Sequence, residues 1–566
     1  MNIWRLNRIR QGSIIFFMMI FMLSLAGAVD YYVDFENGNN VSGDGSQGNP
    51  WKNVSYAIKK TEANETDDTF HIAAGNYTND PQLDLFEREV FPMKIRSGTS
   101  LIGAGAGETI LDAGYLENTT SRFIENADEA AISDVLIQGI TFQNNNVNNS
   151  LDGSAIKLDN ASGAIRDCEF LNIFTNGDRG AVWINGIGIA PFDFTGNVIR
   201  NCQTTGSTSY FAAVSMDNGS GEFSGNTIED CTCKRDGNVV LNTFEGNIKS
   251  NTLKNNAGTN NGSGGMTIIN FSNGEIAYNV FDGNKGSRNS GCHLFINSAD
   301  TRLHHNYFMN AKRGAYGRAA LGLSGNCSME IDNNDFSQNF QDNKADYSGG
   351  IYIDTIDGSA DIHHNSFTGN KGNDAGAIYF NRSSGSVSDN EFIQNESRRY
   401  GILRIYNQSS VDVLNNDFIL NTCIERYAQT AGIRADGNNV SGDIIGNRFE
   451  NNVIDQSHSC LFLENFYGNI IGNFFSGNRT EDQDGYTAYI SLNNTTGEMT
   501  QIANNFFVDN KGSGVLIAGG TADTRFFQHN TLANQSRNLL DIHGDSWNVY
   551  NNIFYGGRTS ITELDV

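Results

Sequence analysis

From about residue 130 to the end, apolar and polar positions alternate in runs of three to five, each run closed by a polar or glycine-rich turn. Residues 376–395 show the unit: "GAIYF", the turn "NRSSG", "SVSD", Asn390, then "EFIQN". A period of two predicts strands, and no copy leaves room for a helix of ordinary length between them. Each copy therefore reads as three short strands. The first Asn of the unit recurs at Asn197, Asn226, Asn251, Asn279, Asn306, Asn334, Asn365, Asn390, Asn416, Asn447, Asn473, Asn505, Asn530 and Asn552, at gaps of 22 to 32 residues. Ile140 and Cys168 hold the same place in two degenerate copies, which makes sixteen. A chain of three-strand copies with one sharp turn coils about an axis, each strand pairing with its equivalent one coil later. The expectation is all-β: a right-handed three-sheet parallel β-helix, a solenoid of about sixteen coils with an N-terminal cap. At ~4.8 Å per coil it would be a rod on the order of 70 Å long.

The repeated Asn has a structural reading. Asn tolerates left-handed backbone at a tight bend, and stacked amides can satisfy one another inside a turn. The aromatic residue two positions on (Phe336, Phe367, Phe392, Phe418, Phe449) is expected to point inward and stack.

This pattern resembles the right-handed parallel β-helix proteins of the pectate-lyase-like superfamily, over approximately residues 130–566. The coils with "SGGIYI" (348–353) and "AGAIYF" (375–380) also resemble the repeats of polymorphic outer membrane proteins. The leading segment, "YYVDFENGNNVSGDGSQGNPWKNVSYAIKK" (31–60), resembles the start of exported bacterial β-helix proteins. That resemblance implies a Tyr32-Val33 strand, an Asp44-Gly45 loop, and a helix after Pro50-Trp51-Lys52 that holds Ala57 and caps the first coil.

Residues 1–28 read as a signal peptide: Arg5, Arg8 and Arg10, an apolar run from Ile14 to Leu25, then Ala26-Gly27-Ala28. The expected division is 1–28 signal, 29–125 cap and first coils, 126–566 β-helix. "NNIFYGGRTSITELDV" stops inside a coil, so the natural protein is expected to continue. The protein is expected to be secreted or held at the cell surface, with no membrane span in the mature chain. A net charge of −26 argues against nucleic acid as a partner. Eight cysteines are few for a disulfide scaffold in 566 residues. Cys202 and Cys231 should lie on neighbouring coils, as a disulfide or as stacked thiols.

With the Asn turns and the Phe strands assigned to structure, chemistry falls to the outward face of the first strand. There alternation gives pairs such as Trp183/Asn185, Tyr352/Asp354, Tyr379/Asn381, Arg404/Tyr406, Arg434/Asp436, Phe462/Glu464 and Tyr489/Ser491. Stacked in a column, Trp183, Tyr352, Tyr379, Phe462 and Tyr489 suit sugar rings; the competing reading is that aromatics simply favour strands and lie under loops. Arg404 and Arg434 with Asp354, Asp436 and Glu464 supply candidate catalytic groups, and the three carboxylates a candidate Ca²⁺ site. The resemblance implies the same kind of parts, since β-helix polysaccharide lyases combine a basic residue with Ca²⁺-binding carboxylates on this sheet. The paired-Asp, Gly-His-Gly and Arg-x-Lys set of the β-helix polygalacturonases is missing. His305, His364 and His529 each precede a repeat Asn and are read as packing the turn. The functional expectation is a protein that binds a polysaccharide or cell-surface glycan along this face. The alternatives are a lyase or hydrolase of acidic polysaccharide, and a structural or adhesin-type spacer. Apart from Ca²⁺, no cofactor is implied.

Overall fold

The computed structural model describes residues 28–556, apart from 63–66, 81, 85–86, 115–120, 128–130, 148–151, 178, 187–189, 205, 207–210, 261, 287–290, 314–316, 341–344, 346, 425–428, 456–457, 482–484, 493–499, 519–524 and 544–546. The expected signal segment thus lies outside the described residues. Nearly every strand pairs in parallel with its equivalent one coil later, so the chain is a parallel β-helix. One coil runs through Ile378–Asn381, Ser384–Ser388, Glu391–Ile393 and Glu396–Ser397. The last of these is a strand more per coil than the sequence suggested. It is two residues long, too short to show a periodicity. First and second strands share one 34-stranded sheet, because strands such as Gly291–His304 and Ala319–Asp332 run through the corner between them.

Register fixes what stacks on what. Phe336 pairs with Phe367, Phe367 with Phe392 and Phe392 with Phe418. Their rings lie nearly parallel with centroids 4.8, 5.0 and 4.6 Å apart. The column continues through Phe449, Phe475 and Phe507. These separations are the coil spacing itself, so each ring fills the core of one coil and covers the next.

Both Asn of the Asn-x-Phe-x-x-Asn unit form ladders. In the first, Asn390 Nδ2 donates to Asn416 Oδ1 (3.0 Å) and to the Ile362 carbonyl (2.8 Å). In the second, Asn395 Nδ2 donates to Asn421 Oδ1 (3.2 Å) and to the Phe367 carbonyl (2.7 Å). The second ladder lapses at Ala311, and there the Asn284 amide meets Nδ1 of the buried His293 at 3.0 Å. Burial brings His293 down to about 4, so its ring stays neutral and Nδ1 can accept. The left-handed backbone is not on the ladder Asn, as expected from sequence, but on the residue before it: Tyr278, His305, Asn333, His364, Asp389 and Asn415 all have φ near +55°. That placement makes the corner one residue early and leaves the Asn free to turn its amide inward. His305 and His364 accordingly stand exposed at the corner rather than packed inside it.

The cap forms as the leading motif implied. Helix Val54–Thr61 buries Val54, Ala57 and Ile58, and Trp51 stacks on Tyr31 at 5.2 Å. Gly45 (φ +81°) carries the loop across the Trp51 ring so closely that a Cβ would lie 2.7 Å from it. The helix start is closed from a distance: the buried Glu89 carboxylate accepts the backbone N–H groups of Val54 (2.8 Å) and Ser55 (2.7 Å). All eight cysteines are buried free thiols. Among the described residues no helix is long and apolar enough to cross a membrane.

Candidate site on the first-strand face

The outward column assembles in the register alternation required. Lys157 pairs with Trp183, Tyr352 with Tyr379, Tyr379 with Arg404, Arg404 with Arg434, Arg434 with Phe462 and Phe462 with Tyr489. Most of it is covered. Trp183, Tyr352, Tyr379, Arg404 and Arg434 are all under a tenth exposed, whereas Phe462 and Tyr489 are half-buried.

The cover comes from the turn before each first strand, four or five residues ahead of the column position. Arg179, from that turn, and Lys157, from the column position one coil earlier, hold the Trp183 ring at 4.1 and 4.7 Å, and Trp183 Nε1 donates to Asp217 (2.9 Å). Tyr347 stacks on Tyr352 at 4.8 Å. Tyr400 lies over both arginines, 3.9 Å from the Arg404 guanidinium and 4.7 Å from that of Arg434. His458 stacks on Phe462 (5.4 Å) and Tyr489 (4.9 Å). Sequence reasoning missed these covering residues. Their signal is a charged or aromatic residue at that fixed distance before the column.

At the centre lies a buried ion set. Arg404 bridges two carboxylates, Asp374 at 3.0 Å and Asp436 at 3.3 and 3.4 Å. Arg434 Nη2 donates to Asp436 at 2.8 Å, while its Nε and Nη1 are buried with no hydrogen-bond partner among the described residues. The two carboxylates diverge. Burial raises Asp374 despite the Arg404 charge beside it. Burial also acts upward on Asp436, but the Arg434 hydrogen bond and the two guanidinium charges prevail and hold it below the ordinary carboxylate value. Two buried arginines against one buried and one half-buried aspartate form a costly arrangement for stability alone. Such a site, with perturbed titration and unused donors, is where chemistry or recognition is to be sought.

The candidate Ca²⁺ carboxylates are not brought together. Asp354 lies three coils from Asp436, about 14 Å at the coil spacing, and is held by Asn381 (2.8 Å), Arg318 and Arg382. Asp436 is engaged by arginines, and Glu464 is exposed. The period-two pattern put all three on one face but could not space them along it.

A family model described as "Protein of unknown function (DUF1565)" matches residues 36–210, the cap and first coils. No curated protein matches the sequence. Solved structures similar to it include the A-module of mannuronan C-5 epimerase AlgE6 from Azotobacter vinelandii, 10% identical over 90% of this chain and 95% of that one, with a TM-score of 0.16. Two others are the Agl-KA catalytic domain (13% identical, 93% of this chain and 68% of that one, TM-score 0.26) and the PL6 family alginate lyase AlyGC (9%, 94% and 99%, TM-score 0.18). From its ladders, its register and its coil-on-coil parallel pairing, the chain is a right-handed parallel β-helix repeat protein.

Proposed function

We propose that this protein binds a polysaccharide along the first-strand face, over the coils that carry Tyr400 to Tyr489. One observation carries the reading: the half-buried stack of His458, Phe462 and Tyr489 adjoins an arginine, Arg434, with two unused buried donors. Aromatic faces suit the C–H faces of sugar rings, and a guanidinium suits a hydroxyl or carboxylate oxygen. The covered aromatics Trp183, Tyr352 and Tyr379 then support the sheet, and the contact surface narrows to the C-terminal half of the column. The basic, apolar and small-residue N-terminus supports export to the cell surface or beyond as the place of encounter.

The test is affinity electrophoresis against polygalacturonate, alginate, glycosaminoglycans and neutral glucans. Retardation by one polymer, weakened about tenfold in Phe462→Ala and in Tyr489→Ala, is expected; tenfold corresponds to ~1.4 kcal/mol. Equal mobility in every gel refutes the reading.

A second reading rests on the divergence of Asp374 and Asp436 around Arg404. A carboxyl whose titration is pushed up beside one whose titration is pushed down is the arrangement acid–base catalysis uses. The enzyme version is tested by mass spectrometry of the same polymers after incubation: unsaturated fragments mark a lyase and saturated ones a hydrolase. Intact polymers throughout leave binding as the function.

A further inference from the structure

Four of the nine histidines stand far from that column, in two adjacent pairs at the corner before the first-ladder residues Asn306 and Asn365. His304 pairs in register with Asp332, and Asp332 with His363, so the two pairs sit two coils apart on one edge of the rod. Their geometry is the same. His304 Nδ1 faces His305 Nδ1 at 2.9 Å, and His363 Nδ1 faces His364 Nδ1 at 2.9 Å. On the far side of each inner ring stands a carboxylate: Glu275 at 2.8 Å from His304 Nε2, Glu330 at 3.2 Å from His363 Nε2.

An ionised carboxylate only accepts, so each inner ring carries its proton on Nε2 and leaves the Nδ1 lone pair bare. That lone pair points at a second imidazole nitrogen. A carboxylate that fixes the tautomer of a histidine and turns its other nitrogen outward is the usual support of a metal-ligating imidazole. We propose that each pair binds one divalent transition-metal ion through the two Nδ1 atoms, the ion replacing the single proton that otherwise lies between them. That proton belongs to the outer ring and passes, by exchange with solvent, to its own Nε2, so both ligands are neutral imidazoles and no net proton is released.

The spacing, set by the shared proton, is also one that a bound ion could take up. Two nitrogens about 2.05 Å from a shared ion are ~2.9 Å apart when they subtend a right angle, and ~3.3 Å apart at the tetrahedral angle. The right angle is the preference of Cu²⁺ and Ni²⁺ rather than of Zn²⁺. The neighbouring carboxylates do not form a competing site. Although Glu330, Asp332 and His363 converge within 4.8 Å, Arg302 holds Asp332 through two hydrogen bonds of 2.6 and 2.7 Å and opposes a cation seated among them. His305 and His364 are exposed, so ions reach both sites from solvent.

The experiment uses the full chain and Cu²⁺, with stoichiometry from equilibrium dialysis and ligation from electron paramagnetic resonance. His305→Asn and His364→Asn are the informative variants, since Asn stands at the same left-handed corner at Asn333 and Asn415 and the fold is kept. Expected are two Cu²⁺ per chain, one in either variant and none in the double variant, with a tetragonal spectrum showing two coupled nitrogens. His529→Asn, which alters a corner histidine with no histidine beside it, should still bind two. No binding by the unaltered chain, or two ions retained by the double variant, overturns the proposal. Retention would mean an adventitious ion only.

Discussion

Asn416 Oδ1 accepts two hydrogen bonds from Asn390, one from its side-chain Nδ2 (3.0 Å) and one from its backbone N–H (2.9 Å). Asn416 Nδ2 meanwhile donates to the Val387 carbonyl at 2.8 Å and to Asn447 Oδ1 at 3.0 Å. One side chain thus serves buried groups on the coil before it and the coil after it. In Asn416→Ala the Asn390 N–H loses its acceptor and the Val387 carbonyl loses one donor in a space closed to water, and a group left unsatisfied there costs ~1–3 kcal/mol. The variant should be destabilised by about 2–5 kcal/mol in urea unfolding, with faster amide hydrogen exchange confined to the coils on either side. A loss below 1 kcal/mol would mean that the ladder is not a principal source of stability.

Leu420 offers the opposite case. It stands just before Asn421 of the second ladder with φ +57° and is half exposed, while the equivalent positions hold Gly369, Asn451 and Gly477. A branched side chain in the left-handed region costs ~1–2 kcal/mol. Leu420→Gly removes that cost and surrenders some unfolded-state advantage, so we expect a net gain of up to about 1 kcal/mol, seen as a higher thermal midpoint. A loss would show that the Leu420 side chain packs more productively than its exposure indicates.

These two positions show what the sequence disclosed and what it withheld. The Asn spacing gave the coil, the Phe two residues later gave the core column, and alternation placed Tyr352, Tyr379, Arg404 and Arg434 in register, because period and parity are local properties. The left-handed residue was misplaced by one, since Asn is a good candidate for either role and only the backbone distinguishes them. The second ladder was visible as a repeated letter yet read as the end of a strand. What lies above the column leaves a fainter trace. Tyr400, His458 and Asp374 stand four or five residues ahead of Arg404, Phe462 and Tyr379, but the alternation that places a strand residue does not say that a turn residue folds back over it.

The cap makes its own prediction. Trp51 closes the first coil against Tyr31, and Gly45 passes over its ring too closely for a Cβ. Trp51→Ala should cost about 3–5 kcal/mol. Gly45→Ala should also destabilise, through contact with the ring and the left-handed φ together. In a solenoid each coil leans on its neighbours, so limited proteolysis of either variant should begin at the N-terminal end while coils beyond residue 300 stay protected. Cleavage beginning elsewhere would deny the cap its role.

The Arg404–Asp436–Arg434 set predicts a pH dependence. Asp436 is pushed up by burial and brought down further by Arg434 and Arg404, so in the folded protein it titrates below the ordinary 3.8. A carboxyl depressed on folding contributes stability that is complete above its unfolded value and is lost as pH falls through the folded one. Asp436→Asn removes that contribution and leaves two buried guanidinium groups short of a counter-charge, at a cost of about 3–5 kcal/mol near pH 7. The gap between the native chain and the variant should hold down to about pH 4 and then close. Asp374 works in the opposite sense. Burial raises it, so its ionisation costs stability as pH rises through that raised value, and Asp374→Asn should be much the milder change near pH 7. Urea unfolding at pH 7, 5, 3.5 and 2.5 separates the two. A gap for Asp436→Asn that stays constant to pH 2.5 would show that its carboxylate is not held ionised by the arginines, and the charge arrangement assigned to this face would fall with it.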